Sequence, residues 1–312
     1  MKLAFVFPGQ GSQAVGMLAD LAREHAQVKA TFAEASQALG YDLWQVVEQG
    51  PEAKLNETQI TQPAMLAAGV AVWRVWLANN GARPSVMAGH SLGEYTALVC
   101  AEAVTFADAV KLVSDRGRFM QEAVPAGQGG MAAILGLEDD AVRQLCRQAA
   151  EGEVLDAVNF NSPGQVVIAG TAAAVARAVA QSKAAGAKRA VLLPVSVPSH
   201  SALMHPAAER MAERLKQVDI RSPNVPIIHN AHVQPETSAD AIRQALVRQI
   251  ESPVRWVETI QKIAADGANK LIECGPGKVL VGLNKRIVKT AETLPVYDPA
   301  TLREALAFAS GS

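Results

Sequence analysis

The sequence predicts an α/β fold in which a smaller domain is inserted into a larger one built on a parallel sheet. Two short apolar runs, residues 3–7 and 85–88, each lead through a glycine-containing turn into a helical stretch, a pattern typical of parallel sheets. Residues 129–194 instead follow the order strand, helix, strand, strand, helix, strand. With 312 residues, 49% of them hydrophobic, the chain has enough apolar material for a large core.

Composition and charge exclude several classes of protein. The 29 basic and 30 acidic residues leave a formal charge of −1, so no overall field would gather nucleic acid or an anionic membrane. The most apolar helical stretch, residues 64–78, contains Arg74 and is too short for a membrane span. The three cysteines form no CxxC pair, which argues against a zinc ribbon or a disulfide framework. We therefore expect a cytoplasmic protein with free thiols that inserts into no membrane.

The elements of the larger domain follow from apolar spacing and turn residues. The first strand ends at Pro8-Gly9-Gln10-Gly11-Ser12, and the second leads into Gly89-His90-Ser91-Leu92-Gly93. Helices are predicted at residues 17–39, 58–80 and 94–100, and further strands at 225–229 and 270–274.

The smaller domain has its own pattern. Its strands are predicted at residues 130–135, 154–160, 164–169 and 189–193, with helices at 139–150 and 171–185. This βαββαβ order is the split ferredoxin-like unit, which closes as a separate small domain. Glycine and proline near 125–130 and 194–198 would act as hinges. We therefore predict a large domain of residues 1–125 and 198–312 and an inserted domain of residues 126–197.

Residues 89–93 carry the strongest chemical signal, a GxSxG elbow between a predicted strand and a predicted helix. In this tight turn the serine hydroxyl stands clear of the backbone, as in α/β-hydrolase-like cores. Ser91 is thus a candidate nucleophile, and the N–H of Leu92 would receive the negative oxygen that develops during attack on a carbonyl. The alternative is a serine that only caps the helix.

A serine nucleophile needs a base, and His200 is the preferred candidate. It lies in a loop after the small domain and before a helix, where an imidazole can be exposed and held. His205 is its nearest rival. His229 and His232 are three residues apart without a third ligand beside them, so we expect no metal site.

With these residues in place, the chain resembles the malonyl-CoA:acyl carrier protein transacylases of bacterial fatty acid synthesis. The resemblance extends to about residue 290 and rests on several motifs in order. These are Phe7-Pro8-Gly9-Gln10-Gly11-Ser12-Gln13, Gln62-Pro63-Ala64, Gly89-His90-Ser91-Leu92-Gly93-Glu94, Arg116-Gly117, Asn159-Phe160-Asn161-Ser162-Pro163-Gly164-Gln165, Val197-Pro198-Ser199-His200 and Gly275-Pro276-Gly277-Lys278.

The resemblance implies roles for five residues in catalysis. It places the nucleophile at Ser91, the general base at His200, and the oxyanion hole at the backbone N–H groups of Gln10 and Leu92. In the family a main-chain carbonyl, not a carboxylate, orients the histidine, and the matching position here is Gln249. No Asp or Glu between Ser91 and His200 stands in a recognisable strand-end motif, which agrees with this assignment.

The resemblance also implies substrate-binding residues. Arg116 matches the arginine that holds the free carboxylate of malonate, a task suited to a planar guanidinium that can pair with both oxygens. Met120 resembles the pocket residue facing carbon two of malonate. Asn161 and Gln165 are expected on the small-domain side of the cleft.

The implied reaction is ping-pong transfer of a malonyl group to the thiol of holo acyl carrier protein, with coenzyme A thioester as substrate and no cofactor. Carrier proteins of this pathway are acidic, so a local basic patch is expected. Lys278, Lys285, Arg286 and Lys289 are spaced to share helix faces after residues 275–277. Solvated surface charge is the alternative explanation for these four residues.

Three other functions remain open from the sequence. A serine esterase or thioesterase would use the same Ser-His pair with water as the acceptor. A nucleotide-binding dehydrogenase is suggested by Gly9, Gly11 and Ala14 after a strand, but the chain lacks the second strand ending in Asp or Glu that this function requires. A non-catalytic scaffold for carrier protein would not react through Ser91.

Overall fold

A computed structural model describes residues 2–195 and 197–311. Within these residues the strands are β1 (Lys2–Phe7), β2 (Val86–Gly89), β3 (Gly129–Leu135), β4 (Leu155–Ser162), β5 (Gln165–Thr171), β6 (Arg189–Leu192), β7 (Ile227–Ile228), β8 (Ala268–Cys274) and β9 (Glu292–Val296). The helices are α1 (Ala19–Glu24), α2 (Ala26–Leu39), α3 (Leu43–Gln49), α4 (Glu52–Leu55), α5 (Thr58–Ala78), α6 (Gly93–Cys100), α7 (Phe106–Ala123), α8 (Asp139–Ala150), α9 (Ala172–Ser182), α10 (His205–Leu215), α11 (Ala239–Ile250), α12 (Trp256–Ala265), α13 (Val279–Ile287) and α14 (Pro299–Ser310), with a short 3-10 helix at Ala202–Met204.

A parallel five-stranded sheet of order β7-β2-β1-β8-β9 forms the larger unit. Helices cover both of its faces, so its central strands are almost wholly buried, as is usual for parallel sheets. The rings of Trp73 and Trp76 on α5 meet Phe5 of β1 edge-on at 5.2 Å. Because the carboxyl ends of parallel strands share one edge, the loops after β1 and β2 lie together there.

The second sheet is antiparallel, has the order β4-β5-β3-β6, and is covered on one face by α8 and α9. This strand order is that of the split ferredoxin-like unit, so the predicted fold class is confirmed. Its edge strand β4 joins the larger unit where Phe160 N donates to Val254 O at 3.0 Å and Val254 N donates to Val158 O at 2.8 Å.

The domain boundaries at residues 126 and 197 stay a prediction. Met1, Ser196 and Ser312, which fall within the predicted domain ranges, lie outside the described residues.

The elements that differ from the predicted ones include one helix and two strands. The helix predicted at residues 17–39 is two helices, because His25 adopts an extended conformation between them. The strand predicted at 225–229 is reduced to Ile227–Ile228. The edge strand β9, which no pattern predicted, contains Pro295, and proline is tolerated at an edge because one side of that strand needs no donor.

In the described part of the chain, no helix combines the length and apolarity needed to cross a membrane.

Candidate active site

The elbow is built by close backbone contacts that only glycine permits. β2 ends at Gly89 and α6 begins at Gly93. A Cβ atom on Gly89 would lie 1.8 Å from the carbonyl carbon of Gly93, and one on Gly93 would lie 2.1 Å from the Phe7 oxygen. Between them Ser91 has φ of 50°, a left-handed conformation that costs a non-glycine residue about 1–3 kcal/mol. The surrounding packing therefore holds the serine in a conformation it would not adopt alone.

Ser91 and His200 are brought together from 109 residues apart in the chain. The Ser91 hydroxyl lies 2.7 Å from His200 Nε2, within hydrogen-bond distance. The other ring nitrogen, Nδ1, donates to the main-chain carbonyl of Gln249 at 2.7 Å. That bond fixes Nε2 as the acceptor facing the hydroxyl, which is the arrangement a general base requires.

Burial first, and the nearby Arg116 cation second, lower the pKa of His200 to about 3, against the raising effect of the Gln249 carbonyl. The ring is 3% exposed. The imidazole of the free protein is therefore neutral at physiological pH and able to accept a proton.

Arg116 on α7 is a buried cation held by amides. It is 1% exposed, and its two Nη atoms donate to the side-chain oxygens of Gln62 at 2.8 Å and Gln249 at 3.0 Å. Nη2 also lies 3.2 Å from the Ser91 hydroxyl oxygen, while the buried Nε has no partner among the described residues. Within those residues no carboxylate lies at ion-pair distance, and burial lowers the pKa of this guanidinium. The buried carboxylate of Glu94 favours the charged guanidinium only from beyond that distance. None of the described residues is therefore a direct anionic partner, and the site suits an anionic ligand.

The first glycine loop packs against the elbow. Gly9 lies so close to His90 that a Cβ atom would sit 2.5 Å from its carbonyl oxygen. Among the described residues, the backbone N–H groups of Gln10 and Leu92 donate no hydrogen bond. Leu92 is also the residue that precedes the first turn of α6. Both donors are thus free to receive an oxygen atom, as their predicted role requires.

The remaining predicted site residues fall in different places. Met120 is buried one turn after Arg116 on α7, with its sulfur 3.7 Å from Gln62 Nε2. Asn161 Oδ1 lies 2.7 Å from Nε2 of His90, so it joins the small sheet to the elbow. Gln165, by contrast, accepts a 2.6 Å hydrogen bond from Arg286 and is not bonded to any residue around Ser91 in the described chain.

His205, the rival base, is exposed and paired with Glu251 at 2.8 Å, which raises its pKa. It therefore has no contact with Ser91.

The predicted basic residues Lys278, Lys285, Arg286 and Lys289 are all exposed. Of these, Arg286 is tied to the small sheet through Gln165.

Sequence reasoning missed two polar residues of the site. Gln62 was seen only as part of a motif, although its side chain contacts both Arg116 and Met120. Asn230, which lies between His229 and His232, was given no role by the sequence, yet its side chain accepts from Ser91 N at 2.8 Å. No local pattern marks either residue, because their partners lie 54 and 139 positions away.

One histidine of the pair bonds to the helix that begins at the elbow. His229 Nδ1 lies 2.7 Å from Glu94 Oε1 on α6, and the His232 ring stacks on it at 5.7 Å. Within residues 2–195 and 197–311, no three histidine, cysteine or acidic side chains are grouped to hold a metal ion.

A cavity of about 460 Å³ reaches His200 between α8 and β4 of the small unit and the loop that follows α11 of the large one. Its walls include Arg143 of α8, Phe160 of β4 and Arg255 before α12. His200 therefore lies where the small unit meets the large one.

Comparison with known proteins identifies similar sequences over nearly the whole chain. The acyl transferase domain family matches residues 4–303. Malonyl CoA-acyl carrier protein transacylase of Salmonella typhimurium is 59% identical over 305 residues, covering 98% of this chain and 99% of that protein. The protein of the same name from Escherichia coli strain K12 is 58% identical, again over 305 residues, with the same coverage.

Solved structures are equally similar. An acyl carrier protein S-malonyltransferase from Vibrio cholerae superimposes with a TM-score of 0.95 at 59% identity, covering 97% of this chain and 99% of that one. A malonyl-transacylase solved in complex with its type II PKS acyl-carrier protein gives a TM-score of 0.98 at 56% identity, covering 99% of this chain and 100% of that one.

Proposed function

Since the chain belongs to the malonyl CoA-acyl carrier protein transacylases within the acyl transferase family, we propose that it moves a malonyl group from coenzyme A to the thiol of acyl carrier protein through an ester on Ser91. One observation carries this proposal. The Ser91 hydroxyl lies 2.7 Å from His200 Nε2 and 3.2 Å from the guanidinium of Arg116, so nucleophile, base and anion receptor meet at one point.

In the first half-reaction His200 Nε2 takes the hydroxyl proton as the Ser91 oxygen attacks the thioester carbon. The carbonyl oxygen becomes negative and is received by the N–H groups of Gln10 and Leu92. When the C–S bond breaks, the coenzyme A sulfur leaves with the proton from His200, and the malonyl group stays as an ester. The Gln249 carbonyl stabilises the imidazolium that forms in between.

The guanidinium of Arg116 would select malonyl groups by binding their free carboxylate. Its unpartnered Nε and the adjacent Nη2 form one edge of the fork. A carboxylate bound to both would accept from Nε and would replace the Ser91 hydroxyl or the Gln249 amide oxygen as an acceptor from Nη2. A bound carboxylate would also offset the cation that lowers the pKa of His200, so the base becomes stronger once the substrate is in place.

The second half-reaction reverses these steps with the carrier-protein thiol as the nucleophile. Transfer and hydrolysis differ only in the acceptor, so a serine esterase or thioesterase is the alternative function. Burial of His200 and Arg116 limits the water that can reach the ester. We propose malonyl-CoA and acyl carrier protein as the partners, with no cofactor, and a cytoplasmic location consistent with three free, buried cysteines.

The experiment that tests the proposal is intact-mass spectrometry after mixing with malonyl-CoA, followed by addition of holo acyl carrier protein. We expect a malonyl adduct on Ser91 that disappears when carrier protein is added and reappears on its thiol. An adduct that decays at the same rate with and without carrier protein would instead establish an esterase. Absence of any adduct on Ser91 would overturn the proposed function.

The pH profile of acylation is expected to lack a fall at the ordinary histidine pKa of 6.5, because His200 is neutral down to about 3. The value of kcat/KM for malonyl-CoA should therefore vary less than about twofold between about pH 8 and about pH 5. Rapid-quench measurement of the Ser91 ester would test this. A loss of activity with a midpoint near 6.5 would show that the base has an unshifted pKa.

Docking of the acidic carrier protein is proposed at the exposed basic residues on and beside α13. Reversing the charge of Lys285 and Lys289 together should lower kcat/KM for carrier protein about 3- to 10-fold and weaken its salt dependence. The rate of acylation by malonyl-CoA should not change. Lys29→Glu on α2, equally exposed, is the matched control. Unaltered turnover in the double variant would place the docking surface elsewhere.

A further inference from the structure

The side chain of Asn230 ties together the two backbone groups that flank the elbow. Its Oδ1 accepts a 2.8 Å hydrogen bond from the N–H of Ser91, and its Nδ2 donates at 2.7 Å to the carbonyl of Gly89. Asn230 is 1% exposed and follows β7, the strand next to β2. The Asn230 amide thus links the Ser91 N–H and the Gly89 carbonyl across the tight turn.

A neutral amide meets both requirements at this position, whereas a carboxylate cannot. The N–H of Ser91 needs an acceptor and the carbonyl of Gly89 needs a donor, and a carboxamide offers one of each. Without this bridge two backbone groups would lose partners beside a residue already in the left-handed conformation, with φ of 50°. Since the orientation of this peptide directs both the Ser91 oxygen and the Leu92 N–H, a small rotation would misplace nucleophile and oxyanion donor together.

The position of Asn230 is itself fixed by a hydrogen bond to Glu94. Its backbone N–H donates to Glu94 Oε2 at 2.8 Å, while Glu94 Oε1 is paired with His229 Nδ1 at 2.7 Å. Glu94 is fully buried on α6, the helix that begins at the elbow. The carboxyl group therefore locks the segment carrying Asn230 to the helix carrying the nucleophile.

We infer that Asn230 is a positioning residue for malonyl transfer: it holds the Ser91 peptide in the orientation that aligns the hydroxyl with His200 and directs the Leu92 N–H at the developing oxyanion. The inference rests on the proposed function of Ser91. It assigns Glu94 and His229 the supporting task of fixing Asn230, instead of a part in proton transfer.

The test is Asn230→Asp, which keeps the size of the side chain. As a carboxylate it can still accept from Ser91 N, but it presents a second oxygen to the Gly89 carbonyl and repels it. We expect the rate of Ser91 malonylation at saturating malonyl-CoA to fall about 10- to 100-fold near neutral pH, with KM altered less than about threefold. As pH is lowered the carboxyl group takes up a proton, regains a donor, and the rate should rise towards that of the natural protein.

The rise on acidification is the readout that a purely structural role would not produce. The titratable and charged groups around this position are Glu94, His229, His90, His200 and Arg116. All five are present in both proteins, but the added carboxylate also shifts their pKa values. The uncharged variant described next separates that effect from loss of the hydrogen bonds. Asn224→Asp, an exposed asparagine in the segment before β7, is the control for the added charge.

Asn230→Ala supplies an independent measurement, because it removes both hydrogen bonds without adding charge. Its malonylation rate should also fall, without recovery at low pH. A natural rate in Asn230→Ala, or an Asn230→Asp profile parallel to that of the natural protein, would overturn the inference. If the natural protein itself formed no malonyl ester, the proposed function would fail instead, so the two failures are distinguishable.

Discussion

Replacing Ser91 with alanine is expected to abolish the malonyl adduct and lower the rate of transfer to carrier protein by about 10⁴-fold or more. The reason is that the acyl group has no other covalent carrier, and His200 loses the hydroxyl 2.7 Å from its Nε2. Intact-mass spectrometry and a transfer assay measure the two effects separately.

Folding of the Ser91→Ala variant should change little, since alanine adopts the same left-handed conformation at a similar cost and the backbone bond to Asn230 survives. Ser222→Ala, at an exposed position, is the control and should transfer at the natural rate. An adduct of normal yield on the Ser91→Ala protein would show that another residue is the nucleophile.

Replacing Arg116 with alanine is expected to lower kcat/KM for malonyl-CoA by about 10²- to 10³-fold while affecting acetyl-CoA much less. The malonyl carboxylate would then enter a buried site without a cation, whereas an acetyl group carries no charge to satisfy. Competition between malonyl-CoA and acetyl-CoA, read as the ratio of the two adducts on Ser91, measures the change directly.

The ratio is the informative quantity because Arg116 also contacts the Ser91 hydroxyl and Gln249, so its loss can slow both substrates. Arg118→Ala is the matched control, since Arg118 is exposed on the same helix and paired with Asp115. An unchanged ratio of malonyl to acetyl adducts in Arg116→Ala would mean that the carboxylate is bound elsewhere.

Both predictions depend on the electrostatic character of the site. Arg116 is buried beside the Tyr95 ring, 5.3 Å from its centroid, and is held by neutral amides instead of a carboxylate. Amides orient the guanidinium without neutralising it, so its charge stays available for a ligand. A carboxylate in the place of Gln62 would satisfy the cation permanently and close the site to malonate.

The sequence alone was sufficient for the features encoded by neighbouring residues. The alternation of strands and helices predicted the parallel core and the βαββαβ unit, because apolar periodicity reflects which face of each element is buried. The elbow around Ser91 could also be predicted from the sequence, because its glycines and the strand and helix that flank it are close together in the chain. The motif resemblance added His200, Arg116 and Gln249, which no local spacing connects to Ser91.

Tertiary structure decided how those residues meet. The spacing of Gly9, Gly11 and Ala14 after the first strand predicts a loop that leads directly into a helix. In the structure α1 begins only at Ala19, and the loop packs against the elbow. The amides of Gln62, Asn230 and Gln249 come from three separate elements, and their contacts with Arg116 and Ser91 span 54 to 158 positions of the chain. Such contacts are set by how helices dock on the sheet, so no periodicity or short motif could contain them.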